Sequence, residues 1–172
     1  MLFKIKDLME QTNTQLTQRI AIFPGSFDPF TKGHEDVVRR GLHLFDKIII
    51  SIGFNSEKKR YFPLETMEKM IKETFDGESN IEIQVYSELT ALFAKKNGAR
   101  FILRGIRNTT DFEYETPISQ ANKHVDSDIE TVFLITSPKY TFISSSIVRE
   151  LYRYGQDVSK FVPYQLPKIS NQ

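Results

Sequence analysis

The run Lys47-Ile48-Ile49-Ile50-Ser51-Ile52-Gly53 constrains this chain more than any other stretch. Near-continuous β-branched residues suit a strand covered on both faces, as in a parallel sheet flanked by helices. Parallel strands need crossover connections, so helical patterns must bracket the run. They do: Val37, Val38, Leu42 and Phe45 recur at helical spacing upstream, and Leu64, Met67, Ile71 and Phe75 do so downstream. Further strands are expected at 19–23, 81–85, 100–103 and 129–136, with helices at 89–97, 111–124 and 144–154. Gly98 and Gly155 close two of these helices, and Thr109 or Thr110 caps 111–124. Pro117 predicts a kink or break within that helix, and Pro163 predicts a last short one. The expected fold is α/β: a Rossmann-like, doubly wound, five-stranded parallel sheet with helices on both faces and right-handed crossovers.

The expected domain spans 19–172. Residues 1–18 read as an N-terminal arm, weakly amphipathic through Leu2, Phe3, Ile5, Leu8 and Met9 and then a polar linker. Without cysteine the chain has no disulfides, thiolate metal sites or cysteine nucleophiles. Lys plus Arg number 23 against 22 Asp plus Glu, so no broad field attracts nucleic acid or an anionic membrane, and neither partner is expected. No apolar run approaches the ~20 residues of a membrane span, and the first residues lack a signal-peptide core, so a soluble, cytoplasmic protein is expected. GxGxxG, GxxxxGK[ST] and HExxH patterns are absent.

Three stretches carry chemistry, each following a predicted strand. Phe23-Pro24-Gly25-Ser26-Phe27-Asp28-Pro29-Phe30-Thr31-Lys32-Gly33-His34 runs from a strand through a glycine turn into a helix. A helix N-terminus presents unpaired N–H groups and a positive dipole end, so an imidazole there completes an anion cradle. His34 is the catalytic candidate, although a histidine opening a helix also serves as a plain cap. Arg104-Gly105-Ile106-Arg107 places two guanidiniums at the carboxyl edge, where Arg recognises phosphate bidentately. Tyr140-Thr141-Phe142-Ile143-Ser144-Ser145-Ser146 ends in three serines at the Ncap, N1 and N2 positions, more hydroxyls than capping requires, with Arg149 one turn further on. Lys58 joins from the loop after the second strand. Cations and donors without a general base or nucleophile fit a phosphate attacking a phosphate, hence nucleotidyl transfer.

These residues, with Asp111-Phe112-Glu113-Tyr114-Glu115, resemble the phosphopantetheine adenylyltransferases from about residue 19 to 163. The resemblance implies transfer of the adenylyl group of ATP to 4′-phosphopantetheine, giving dephospho-coenzyme A and pyrophosphate, with Mg²⁺ carried mainly by the ATP phosphates. It implies that His34 stabilises the transition state and that Ser26 and Phe27 contact the nucleotide, Ser26 also touching the second substrate. It gives Lys58, Thr90 and Arg104 to phosphopantetheine. It gives Gly105, Ile106, Arg107, Glu115, Tyr140, Thr141, Phe142, Ile143, Ser144, Ser145 and Ser146 to ATP, and it implies a homohexamer. Two positions depart from the commonest pattern: Ser26 stands where Thr is frequent, and Lys32 where Asn is frequent, which is expected to add charge near the phosphates. Rival readings are adenylyl transfer to nicotinate mononucleotide, cytidylyl transfer to glycerol phosphate, a nucleotide-binding module without turnover, and an RNA-binding synthetase fragment.

Overall fold

The computed structural model describes residues 18–167. The expected N-terminal arm lies, but for its last residue, outside them. Five strands alternate with helices: β1 (Ile20–Gly25), α1 (Lys32–Gly41), β2 (Lys47–Gly53), α2 (Leu64–Thr74), β3 (Ile81–Tyr86), α3 (Thr90–Lys96), β4 (Phe101–Ile106), α4 (Thr109–Val125), β5 (Glu130–Ile135) and α5 (Ser145–Arg153). All neighbouring pairs are parallel, in the order β3-β2-β1-β4-β5. This is the doubly wound sheet expected.

Alternation along β2 shows why the fold is two-sided. Ile48, Ile50 and Ile52 join Val37 and Val38 of α1 and Ile71 of α2, whereas Ile49 joins Ala91 and Ala94 of α3 on the opposite face. Each fully buried isoleucine contributes about 1.5–3 kcal/mol by leaving water. A satellite cluster of Ile143, Val148, Val158 and Val162 seats α5 and the segment after it.

Four local expectations are corrected. β4 runs through Arg104 and Gly105 to Ile106, pairing with β5 as far as Ile135, so these residues lie in the sheet rather than in a loop beyond 103. Helix α4 is capped by Asn108, whose side chain accepts from the Asp111 amide at 2.8 Å, not by Thr109 or Thr110. It continues through Pro117 without a break: Pro117 is exposed, so the carbonyl it leaves unpaired meets water, and hydroxyls of Thr116 and Ser119 bond neighbouring carbonyls. No helix opens at Pro163; residues 161–164 form turns and bends.

The sheet opens at its switch point. Pairing of β1 with β2 continues to Gly25 and Ile52, but pairing of β1 with β4 stops at Ile22 and Ile102. Beyond that point β1 and β4 separate, and a guanidinium of Arg104 reaches across to the Pro24 carbonyl. Ligands of doubly wound sheets bind in such a crevice.

Candidate active site

The crevice is walled by three strand-to-helix turns. The first holds His34 through its own helix cap: Thr31 Oγ1 accepts from the His34 amide at 3.4 Å, and His34 Nδ1 accepts from the Thr31 amide at 3.0 Å. An amide can only donate, so Nδ1 is unprotonated and the neutral ring carries its proton on Nε2. The rings of Phe27, Phe30 and Phe23 lie 5.2, 5.4 and 6.2 Å from the imidazole. Burial, then the charges of Arg104 and Arg107, lower the His34 pKa to about 3. His34 is therefore a neutral hydrogen-bond donor at pH 7, not a general acid.

Gly25 gives Phe27 its place, since a Cβ on Gly25 would lie 2.7 Å from the Phe27 ring. Phe27 itself adopts a φ of +44°, a conformation unusual for a bulky residue and held here by the surrounding aromatic rings. The Asp28-Pro29 peptide bond is cis.

The two arginines are held by acids of α4. Arg104 Nε donates to Glu115 Oε2 at 2.8 Å and Nη2 donates to Oε1, with the Glu115 carboxylate buried. Arg107 clasps Asp111 through Nε at 2.8 Å and Nη2 at 2.9 Å, which raises the guanidinium's pKa and lowers the carboxylate's. Gly105 lies between them, and a Cβ there would sit 2.8 Å from Val37 Cγ2. The bare backbone thus lets α1 approach the sheet, a packing role in addition to the expected closeness to ligand.

Two cavities share this wall. One, of about 380 Å³, is lined by Ser26, Phe27, His34, Arg104, Gly105, Arg107, Glu115, Tyr140, Ile143, Ser144, Ser145, Ser146 and Arg149. The other, of about 350 Å³, is lined by Ser26, Lys58, Thr90, Arg104 and Glu115, together with Tyr86, Glu88 and Asn122. Ser26 and Arg104 stand where the two meet. Ser144 caps α5 by accepting from the Ile147 amide at 3.2 Å, leaving the next two serines in the cavity wall.

Three expected residues do not line either cavity. Ile106 is buried in the sheet, Thr141 bonds the Pro138 carbonyl, and Phe142 is exposed with its ring edge-on to Phe161. Lys32 is also corrected: its ammonium turns to the Ser159 carbonyl at 3.1 Å and adds no charge to the cavity wall. Asp28 and Arg60, for which the sequence suggests no role, line neither cavity but tie the first turn to the loop before α2: the Asp28 carboxylate accepts from the Tyr61 and Phe62 amides, and Arg60 donates to the Ser26 and Phe27 carbonyls. The only signal for Asp28 is an acid in the otherwise apolar Phe27-Asp28-Pro29-Phe30 run.

A switch-point cavity with a donor histidine, paired arginines and a serine-rich helix start defines a nucleotidyltransferase site. The model of the cytidylyltransferase-like family matches residues 22–151. Curated relatives named phosphopantetheine adenylyltransferase include one from Cytophaga hutchinsonii, 58% identical over 86% of this chain and 99% of that protein. Those from Flavobacterium johnsoniae and Bacteroides thetaiotaomicron are 52% and 49% identical, each over 84% of this chain and 95% of the relative. The chain belongs to the phosphopantetheine adenylyltransferase family. Among solved structures, a bifunctional NMN adenylyltransferase/ADP ribose pyrophosphatase from Francisella tularensis aligns at a TM-score of 0.66 and 19% identity. This chain covers 46% of that one, about half its length, with 87% of its own residues aligned; the likeness is one of fold.

Proposed function

We propose that the protein transfers the adenylyl group of ATP to 4′-phosphopantetheine, yielding dephospho-coenzyme A and pyrophosphate. The observation that carries this reading is the pair of adjoining cavities that meet at Ser26 and Arg104. ATP occupies the cavity of His34, Arg107 and Ser144–146, and the phosphate of the second substrate enters past Lys58 and Thr90. An oxygen of that phosphate attacks the α-phosphorus in line, and the bond to the β-phosphate breaks as pyrophosphate leaves. No protein nucleophile is needed. His34 Nε2–H donates to the oxygens of the five-coordinate phosphorus, Arg104 and Arg107 offset their charge, and the turn holds the partners aligned.

Among the described residues no cluster of three or more His, Asp or Glu could hold a metal ion. The two acids lining the nucleotide cavity, Asp111 and Glu115, are already engaged by arginines. The residues do not form a Mg²⁺ cage, so the ion enters with the triphosphate as part of the substrate.

Phe112, Tyr114 and Ile118 on α4 and Ile135 at the end of β5 are exposed apolar residues, surface suited to a second copy and in keeping with a homohexamer. Light scattering tests that assembly. No described helix is long and apolar enough to cross a membrane; a cytoplasmic location is part of this proposal.

Turnover is tested by incubating the protein with ATP, Mg²⁺ and 4′-phosphopantetheine, omitting each in turn and following pyrophosphate. Release is expected only with all three. Product from nicotinate mononucleotide but not from the pantetheine compound overturns the reading.

A further inference from the structure

Five consecutive carbonyls in the turn between β1 and α1 each receive a side-chain donor. Arg60 Nη2 donates to the Ser26 oxygen at 2.7 Å and the Phe27 oxygen at 3.3 Å. Arg149 Nη1 donates to Asp28, Ser145 Oγ to Pro29 at 2.8 Å, and the Tyr164 hydroxyl to Phe30 at 2.7 Å. The donors come from three separate segments: the loop before α2, helix α5, and the chain beyond it. Phe27, Asp28, Pro29 and Phe30 are buried, so their carbonyls must be paired within the protein; here side chains from three distant segments pair them in place of neighbouring backbone, which ties the position of the turn to those segments.

Two further ties run back. The Asp28 carboxylate accepts from the Tyr61 and Phe62 amides at 2.8 and 2.9 Å, and the Phe161 carbonyl accepts from the Lys32 amide at 2.9 Å. With its carbonyls taken from outside, the turn leaves the Ser26 and Phe27 amides without an acceptor among the described residues, and both residues line the nucleotide cavity. The Thr31–His34 cap begins one residue after the carbonyl that Tyr164 holds.

We propose that Arg60 and Tyr164 are positioning residues for adenylyl transfer, bracing the two ends of this turn so that the Ser26 and Phe27 amides and the His34 imidazole converge on the phosphate in flight. The inference rests on the function proposed above. Arg60 donates to the Ser26 and Phe27 carbonyls from Nη2 and to the Phe62 carbonyl from Nε at 3.4 Å, a division over two nitrogens that a lysine's single ammonium cannot reproduce. Tyr164 lies 134 positions from Phe30 and packs its ring against both the main core and the satellite cluster, so Tyr164→Phe removes the brace while keeping the packing.

The test compares Tyr164→Phe and Arg60→Lys with the wild-type full chain, using ATP and 4′-phosphopantetheine. Misplacing a catalytic group by an ångström costs up to about 100-fold, so each variant is expected to lose about tenfold in kcat with both KM values within about twofold. The ¹⁵N signals of His34 in the protein without substrates are expected to move away from the pure Nε2–H form in Tyr164→Phe. A kcat within about 1.5-fold of wild type, a rise confined to KM, a loss matched by unfolded protein in circular dichroism, or an unchanged His34 signal each overturns the brace. A wild type that releases no pyrophosphate overturns the function instead, and the His34 signal still decides the brace.

Discussion

Thr31 and His34 cap one another, the Thr31 amide donating to Nδ1 at 3.0 Å and the His34 amide to Oγ1 at 3.4 Å. The motif that starts α1 thereby fixes the tautomer of the His34 ring and leaves its remaining proton on Nε2. His34→Ala is expected to lower kcat by about 100-fold or more while calorimetry finds ATP binding retained, because one transition-state donor is commonly worth that much. An unchanged rate removes the role given to the ring.

The lowered pKa of His34 makes a statement about acid stability. Because the folded value of about 3 lies below the ordinary 6.5, the unfolded chain takes up a proton that the folded one refuses as pH falls between them. The protein without ligand is expected to lose at most about 1.4 kcal/mol per pH unit from this residue between roughly pH 6.5 and 3, measured by urea unfolding. His34→Gln is expected to flatten that slope. The same neutrality predicts that kcat/KM, which reports the free enzyme, shows no ionisation of His34 between about pH 6 and 8.

Asp111 holds Arg107 and has its own pKa lowered by it. A depressed carboxylate contributes stability that is present above its unfolded value, about 3.9, and is lost as pH falls through the folded one. Asp111→Asn is expected to cost about 0.5–1 kcal/mol at pH 7, a difference that closes in acid, since the pair is partly solvated. Loosening Arg107 is also expected to raise KM for ATP about 3- to 10-fold, read from initial rates.

Gly105→Ala places a methyl 2.8 Å from a buried, β-branched neighbour that has little freedom to turn away. A loss of about 1–3 kcal/mol in urea unfolding is expected, and Val37→Ala in the same chain should recover part of it. Additive losses would show that the two side chains do not compete for that space.

Much of the fold was legible because its signals are local. The isoleucines of β2 bounded that strand without help, and the spacing of Val37, Val38 and Ile71 announced two helices that cover one face of the sheet. Errors arose where a neighbour overrode local preference. Arg104 and Gly105 read as loop residues, yet β5 pairs with them and an acid eleven positions on takes the charge. Asn108 displaced two threonines as cap, and Pro117 was absorbed because its face of α4 meets water.

By itself the sequence determined the parallel sheet, the strand-to-helix turns that carry His34 and the serines, and the placing of the arginines toward the same carboxyl edge, since strand and helix periods are written in neighbouring residues. Only the tertiary structure decided which charges remain available there. Arg104 is spent partly on Glu115, Arg107 on Asp111, Arg60 on Ser26 and Phe27, and Lys32 on a carbonyl 127 positions away. Hydrogen bonds of that reach depend on how the layers close over one another, and nothing in a window of neighbouring residues encodes them.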